Sequence, residues 1–322
     1  MDAQTAPAIT AVICGYDRPA QLARAVKSVL ANDYPRFELI VVDQCPNGRL
    51  AAALEPYLED PRLRHLRASP GLNGARNAGI RQAEGELIAL TDDDCEVGPD
   101  WLERLAAAFA EDSRIGVVFG SALPAPHDGA AGFIPAYVSW RPRLAHRVRQ
   151  LGGVRGMGAC LSLRRSVWEE LEGLDEMLGK GGRFLAGDEG DLALQALRAG
   201  YAVYETPAVS VVHHGFRVSA DARELAHAYW HGTGAVIGKH LKRGQISLVP
   251  VLGRLAARWV RGTSPIATSF GGRATPLRRL RSFWSGLIAG VAWPVDRETR
   301  HFLPGKGESH REAAGLGRHS HA

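Results

Sequence analysis

The chain has little cysteine: four residues in 322, Cys14, Cys45, Cys95 and Cys160, well separated from one another. None forms a C-x-x-C pair and no zinc-ligand spacing occurs, which argues against a disulfide scaffold, a dithiol redox motif and a structural zinc site. Three of the four fall in or beside apolar segments, where a thiol packs as a small hydrophobe. They read as reduced thiols of a cytoplasmic protein. Long apolar runs are missing too. Near the C-terminus the longest, Phe283 to Trp293, is broken by Ser285 and Gly286 and falls short of the about 20 residues a bilayer requires. The first residues carry neither the basic stretch nor the apolar core of a secretion signal, so none is expected. No G-x-G-x-x-G follows the first apolar run, so this is not a dinucleotide-binding fingerprint. Basic residues are not interleaved with aromatics and no nucleic-acid motif is found, so nucleic acid is not an expected partner. There is no internal repeat.

What is present is an ordinary globular composition, 45% hydrophobic and 23% charged, long enough for one large domain with an appendage. The net charge of +5 hides an asymmetry. From Lys239 onward fifteen Lys/Arg face four acids, near +11, which leaves the first 238 residues near −6. A basic C-terminal part on an acidic body suggests that one face meets something anionic, and membrane phospholipid is the better candidate.

Apolar runs and helical patterns alternate from the start. Residues 1–8 read as a loose leader. Ile9 to Cys14 reads as a buried strand, and Pro19 opens a helix to about Asn32, with Leu22, Val26, Val29 and Leu30 at helical spacing. Phe37 to Val42 is a second strand ending at Asp43. An Ala-rich helix and a short strand at Arg64-His65-Leu66 follow. This order implies a parallel, Rossmann-like half-sheet with its ligand outside the strand C-termini. Gly15-Tyr16-Asp17, Asp43 and Asp92 to Asp94 would then converge on one crevice.

The richest stretch is Gly71 to Trp101. Asn73 is a candidate N-cap for a helix over Gly74 to Ala83, ended by Gly85. Glu86 to Leu90 suits a buried strand. Three carboxylates in a row follow it: Asp92, Asp93 and Asp94. Like charges at that spacing repel, and burial would raise their pKa values. A bound cation removes both problems. Residues two apart on an extended chain point the same way, so Asp92 and Asp94 can face one ion while Asp93 faces elsewhere. All-oxygen ligands suit Mg²⁺ or Mn²⁺. A solvated acidic turn before the helix from Pro99 is the alternative.

Ala75-Arg76-Asn77-Ala78-Gly79, leading through a strand to Asp92-Asp93-Asp94 and Pro99-Asp100-Trp101-Leu102, resembles the nucleotide-sugar site of family 2 glycosyltransferases. The resemblance covers about Ile9 to Gly244. It implies the GT-A fold, an α/β architecture with a Rossmann-like nucleotide-binding half and a mixed central sheet with helices on both faces. It further implies a nucleotide-sugar donor, with Tyr16 and Asp17 beside the base and Asp43 recognising it. Arg76, Asn77, Asp92 and Asp93 would support the donor or its phosphates. Gly156, in the glycine-rich entry from Gly152 to Leu163, would lie beside the donor sugar. Gly173-Leu174-Asp175-Glu176 resembles the family's Gly-Phe-Asp-Glu turn.

Gly187-Asp188-Glu189-Gly190-Asp191-Leu192 resembles the family's Glu-Asp-x-Asp-Leu motif with its first two acids exchanged. Glu189 stands at the general-base position, Asp188 remains an alternative, and Asp191 completes the set. Acids in a first helical turn also favour the helix dipole, which is the structural alternative. The strands at Tyr201 to Tyr204 and Val209 to Val212 lead to His213-His214, where the family commonly places a histidine at the metal site; His213 is favoured.

The irregular segment from Leu123 to Gln150 offers Phe133, Tyr137 and Trp140 for stacking on an acceptor, either a glycan or a lipid-linked hydroxyl. Three units are expected: a catalytic domain over 1–244, with its donor half at about 9–122 and its acceptor half at about 123–244; a basic amphipathic helical extension over 245–309; and a disordered tail over 310–322. The extension carries one stripe from Leu248 to Trp259 and a second after Arg278-Arg279-Leu280-Arg281. Both suit peripheral contact with an anionic membrane, and packing on the catalytic body is the alternative.

Overall fold

Near-continuous apolar strands need cover on both faces, and the helical segments between them supply it. The computed structural model describes residues 6–153, 156–250 and 276–305. Strands β1 (Ile9–Gly15), β2 (Phe37–Asp43), β3 (Leu63–Arg67) and β4 (Leu87–Asp92) lie parallel in the order β3-β2-β1-β4. Along β1 and β2 alternate side chains enter opposite cores. Ile9, Ala11, Ile13, Leu39 and Val41 pack with α1 (Pro19–Leu30), α2 (Arg49–Leu54) and α4 (Trp101–Ala110). Val12, Ile40 and Val42 pack with α3 (Leu72–Arg81), α5 (Arg165–Glu170) and α6 (Asp188–Arg198).

The sheet continues through β9 (Leu161–Arg164), β6 (Ile115–Pro124), β10 (Ala202–His213) and β5 (Cys95–Val97). Here the pairing turns mixed: β9 runs antiparallel to β4 and β6, and β5 antiparallel to β10. Two residues, Asp93 and Asp94, connect β4 to β5, although three strands stand between them in the order. The sheet therefore curls, and the acids lie where its two ends come together.

Several local expectations are corrected. Ala6 is fully buried, and Tyr34 and Arg36 donate to the carbonyls of Pro7 and Ala6, so the leader is packed from residue 6 onward. Asn73 is not an N-cap: α3 begins at Leu72 after Gly71, and the Asn73 amide donates to the carbonyls of Asp175 and Leu178. α3 ends at Arg81. Gly85 lies against the backbone at Ile9 and Thr10, where a Cβ would collide, and its N–H is taken by the Thr10 hydroxyl. The two strands expected around residues 201–212 are one strand, β10, irregular between Glu205 and Ser210.

Segment 123–150 contains β7 (Gly132–Phe133) and β8 (Arg143–Ala145), the latter paired with β10. β7 pairs with β11 (Arg217–Val218). Tyr137 donates its hydroxyl to buried Glu205, whereas Trp140 is 85% exposed.

Two further helices, α7 (Ala222–Lys242) and α8 (Pro276–Ala292), close the fold. They approach backbone to backbone. Gly234 and Gly238 of α7 face the main chain of α8, and Gly286 and Gly290 of α8 face the carbonyls of His231 and Ala235. α7 ends in a basic run, Lys239-His240-Leu241-Lys242, before Arg243-Gly244, and Lys239 and His240 within it are buried. Phe302 packs with Met177, Phe184, Val236 and Leu248, so the segment after residue 276 shares a core with the rest of the fold. The first amphipathic stripe of the extension, from Val251 to Trp259, and the tail lie outside the described residues. Among the described residues no helix is long and apolar enough to cross a membrane.

Candidate active site

The parallel strands deliver their C-terminal ends to one side, and the acidic segments meet there. Arg76, on α3, is the hub. Its guanidinium is buried and donates to Asp92 at 3.3 Å, to Asp188 at 3.1 Å and to the Gly158 carbonyl at 3.2 Å. One cation thus joins the acids after β4 to those opening α6. Beside Asp188, Glu189 accepts the Gly158 N–H at 2.8 Å. Burial, and then the neighbouring Asp188, raise the Glu189 carboxyl to about 8, with Arg76 opposing. The glycine expected beside the ligand, Gly156, packs on the Phe119 ring instead; Gly158, two residues on, is the one that meets Arg76 and Glu189.

The expected geometry of the three aspartates needs correction. Only Asp92 is extended; Asp93 and Asp94 form a turn. The strand rule that would point Asp93 away therefore does not apply. Asp93 accepts the Tyr16 N–H at 3.1 Å and, with Asp94, grips the Arg18 guanidinium. Burial raises Asp93 to about 6 despite Arg18. Burial also pushes Asp94 upward, but His213 and Arg18 outweigh it and lower Asp94 to about 2. Arg18 was not among the expected site residues. Its signal was its place in the β1–α1 turn, next to Tyr16 and Asp17.

His213, at the end of β10, lies with Nε2 3.3 Å from Asp94 Oδ1, and its Nδ1 is bonded to the Pro135 carbonyl. Burial lowers its pKa, but Asp94 outweighs this and raises it. Asp94, Cys95 and His213 bring one ligand atom each within 4.8 Å of one another, and Asp94 Oδ1 is buried without a hydrogen-bond partner. An orphaned carboxylate oxygen beside an imidazole fits a divalent cation. Asp92, expected as a ligand beside Asp94, is not part of this cluster; its carboxylate is on Arg76. His214 faces Glu96 at 3.0 Å instead.

The remaining expected residues divide. Tyr16 is half exposed and free to face a base; Asp17, at φ 57°, pairs with Arg49. Asp43 is buried, accepts the Cys45 N–H at 2.7 Å and leaves Oδ2 unbonded, 3.5 Å from His65. Asn77 turns away from these acids. Its amide donates to Leu174 O and Glu176 and accepts from Trp168 and the Leu174 N–H, so its hydrogen bonding is spent on the 173–176 turn.

Asp191 also leaves the site. Lys239 Nζ lies 2.7 Å and His240 Nε2 2.8 Å from its Oδ1, and Gln195 donates to Oδ2. Burial opposes its ionisation, but Lys239 and His240 outweigh this and hold it well below the usual carboxylate range. It is buried on the core side of α6, against α7.

The sequence model of "Glycosyl transferase family 2" matches residues 10–171, half of the chain. The chain belongs to glycosyl transferase family 2. Among the similar proteins, the succinoglycan biosynthesis protein ExoO of Rhizobium meliloti (strain 1021) is 40% identical over 101 residues, 31% of this chain and 29% of that protein. The O-antigen biosynthesis protein RfbC of Myxococcus xanthus is 30% identical over 229 residues, 65% of this chain and 17% of that protein. The chain thus spans less than a third of the length of these relatives.

The mannosyltransferase PcManGT from Pyrobaculum calidifontis, solved with GDP-Man and Mn²⁺, is similar over 90% of this chain and 87% of its own, with TM-score 0.54 and 20% identity. That likeness establishes the shared fold, a GT-A glycosyltransferase architecture.

Proposed function

We propose that this family 2 member transfers a sugar from a nucleotide-diphosphate-sugar donor to an acceptor hydroxyl, with inversion, in cell-envelope or exopolysaccharide synthesis. The observation that carries the reading is the single buried guanidinium of Arg76 shared by Asp92 and Asp188. It holds the donor-side acids and the base-side acids in one site.

In the proposed reaction Tyr16 and Asp17 flank the base and Asp43 orients it. Asp94 and His213, with Asp92 beside them, would hold Mg²⁺ or Mn²⁺. The ion when bound would neutralise charge on the diphosphate. Glu189 takes the proton of the acceptor hydroxyl as its oxygen bonds to the anomeric carbon, and the bond from that carbon to the diphosphate breaks. A carboxyl raised to about 8 is a proton acceptor matched to a near-neutral medium. The Gly158 N–H fixes one carboxylate oxygen of Glu189, leaving the other for the acceptor.

The acceptor is a glycan or lipid-linked hydroxyl approaching past Trp140. The enzyme works in the cytoplasm, where four buried, unpaired thiols persist, at a surface where its basic C-terminal part contacts anionic membrane.

The test is nucleotide release from a panel of nucleotide-sugar donors, with and without Mn²⁺, on wild type, Asp94→Asn and Glu189→Gln. Metal-dependent release with one donor, lost in both variants while donor binding survives in Glu189→Gln, is expected. Undiminished turnover in Glu189→Gln removes its role. Nucleotide binding with no release from any donor, acceptors included, would favour a non-catalytic binding module.

A further inference from the structure

α8 has two unlike faces. One carries Gly286 and Gly290 and is pressed onto α7. The other presents Leu277, Leu280, Trp284, Ile288 and Val291 to solvent, with Leu277 67%, Trp284 52% and Ile288 64% exposed. The spacing of three or four residues puts all five on one stripe. Beside this stripe a cavity of about 410 Å³ opens between α7 and α8, lined by Arg223, His227, Arg278, Arg279, Arg281 and Ser282. Among the described residues no acid is paired with any of these four arginines. Ser282 is buried, bonded to His227 Nδ1 at 2.8 Å and to the Arg278 carbonyl at 3.0 Å, so the polar floor is fixed.

Four guanidiniums around one concavity repel one another, and an anion removes that repulsion. Forked donors of this kind match phosphate oxygens. We propose that the cavity is a phosphate-binding site for the headgroup of a membrane lipid, with the apolar stripe of α8 lying in the bilayer interface. Arginine at the polar border with Trp and aliphatic residues on one open face is the pattern of an interfacial helix. A second copy of this chain fits less well. A two-fold contact through the stripe brings each arginine set toward its own copy.

The site also stands near the chemistry. Arg223 and His227 precede Tyr229 on α7, and Tyr229 lies within electrostatic reach of Glu189 and Asp188. Six residues of helix separate Arg223 from Tyr229, about 9 Å of rise. Tyr229 lies about 200° around the helix from His227, so a lipid held in the cavity would be linked to the active site through α7 itself. This last link rests on the glycosyl-transfer reading; the binding site itself does not.

The experiment is flotation of the full chain, without donor or acceptor, with vesicles of phosphatidylcholine alone or mixed with phosphatidylglycerol. Binding to the mixed vesicles only, weakening with salt, is expected. Arg278→Ala/Arg279→Ala/Arg281→Ala should lower partitioning about five-fold per arginine, about 100-fold together. Trp284→Ser/Ile288→Ser should also release the protein. Retained donor-nucleotide binding in these variants shows that they are folded.

Equal binding to both vesicle types, or a triple variant that floats like wild type, overturns the proposal. So does tight binding of inorganic phosphate without flotation, which assigns the cavity to a free anion. Self-association through the stripe without vesicle binding overturns it as well. Since the assay contains no donor, its failure leaves the transferase reading intact, and loss of nucleotide release leaves the flotation result intact.

Discussion

Replacing Lys239 by Met tests whether Asp191 anchors α6 or serves the reaction. The Lys239 side chain is wholly buried, with Nζ 2.8 Å from Asp175 and 2.7 Å from Asp191. His240 and Gln195 remain as partners of Asp191, and Asp175 keeps the N–H groups of Met177 and Phe302. Met roughly conserves volume, so little empty space is left behind. The main loss comes from two buried carboxylates deprived of their ammonium. Removing one partner of a buried pair costs about 3–5 kcal/mol, a large part of the roughly 5–15 kcal/mol that holds a typical domain folded.

We expect a loss of about 4 kcal/mol in urea denaturation at neutral pH, with an unchanged slope. Because Asp191 is held below its ordinary pKa, its contribution is present at neutral pH and is lost as pH falls through the acid range. Asp191→Asn should therefore be less stable yet still release nucleotide well below its melting temperature. A Lys239→Met loss under about 1 kcal/mol would refute the burial argument. An Asp191→Asn variant that is stable and inactive would return Asp191 to the reaction.

Four further outcomes are expected. With Glu189 raised to about 8, kcat/KM should climb with pH and level above about 8, read from pH–rate profiles. The same carboxyl, raised in the folded state, contributes stability that is lost as pH rises through about 8; Glu189→Gln should flatten that decline in melting temperature. Chelation should abolish nucleotide release and lower the melting temperature only modestly, because the ion binds the folded chain alone while Arg18 already balances Asp93 and Asp94. Gly286→Leu should destabilise by about 1–3 kcal/mol, since its side chain must enter the α7 backbone at His231; an unchanged denaturation midpoint would contradict that packing.

The parallel half of the fold was legible because β1, β2 and β4 are short apolar runs bounded by turn residues, and that signal is local. The convergence of Gly15-Tyr16-Asp17, Asp43 and Asp92 to Asp94 was read from strand polarity, and Asp188-Glu189 was singled out through the resemblance. What sequence could not show was which way each polar side chain turned. Asn73, Asn77 and Asp191 lie beside chemically active residues and bond inward, because each sits on the core side of its helix. Nothing in the run Lys239-His240-Leu241-Lys242-Arg243 separates a buried ammonium from solvated ones; the separation depends on Asp175 and Asp191, 64 and 48 positions away. The turn at Asp93-Asp94 was misread as strand for a similar reason. Its conformation is set by the distant partner β10, on which β5 pairs.

That turn works as a clasp. The chain leaves one arm of the curled sheet at Asp92 and joins the far arm at Cys95, which pairs with His213. An ion gripped by Asp94 and His213 would fasten two edges that three intervening strands hold only indirectly. Loading of the site should then be felt mechanically along β5, as slower hydrogen exchange at Cys95 to Val97. The same acids that would prepare the donor would set how tightly the sheet closes around it.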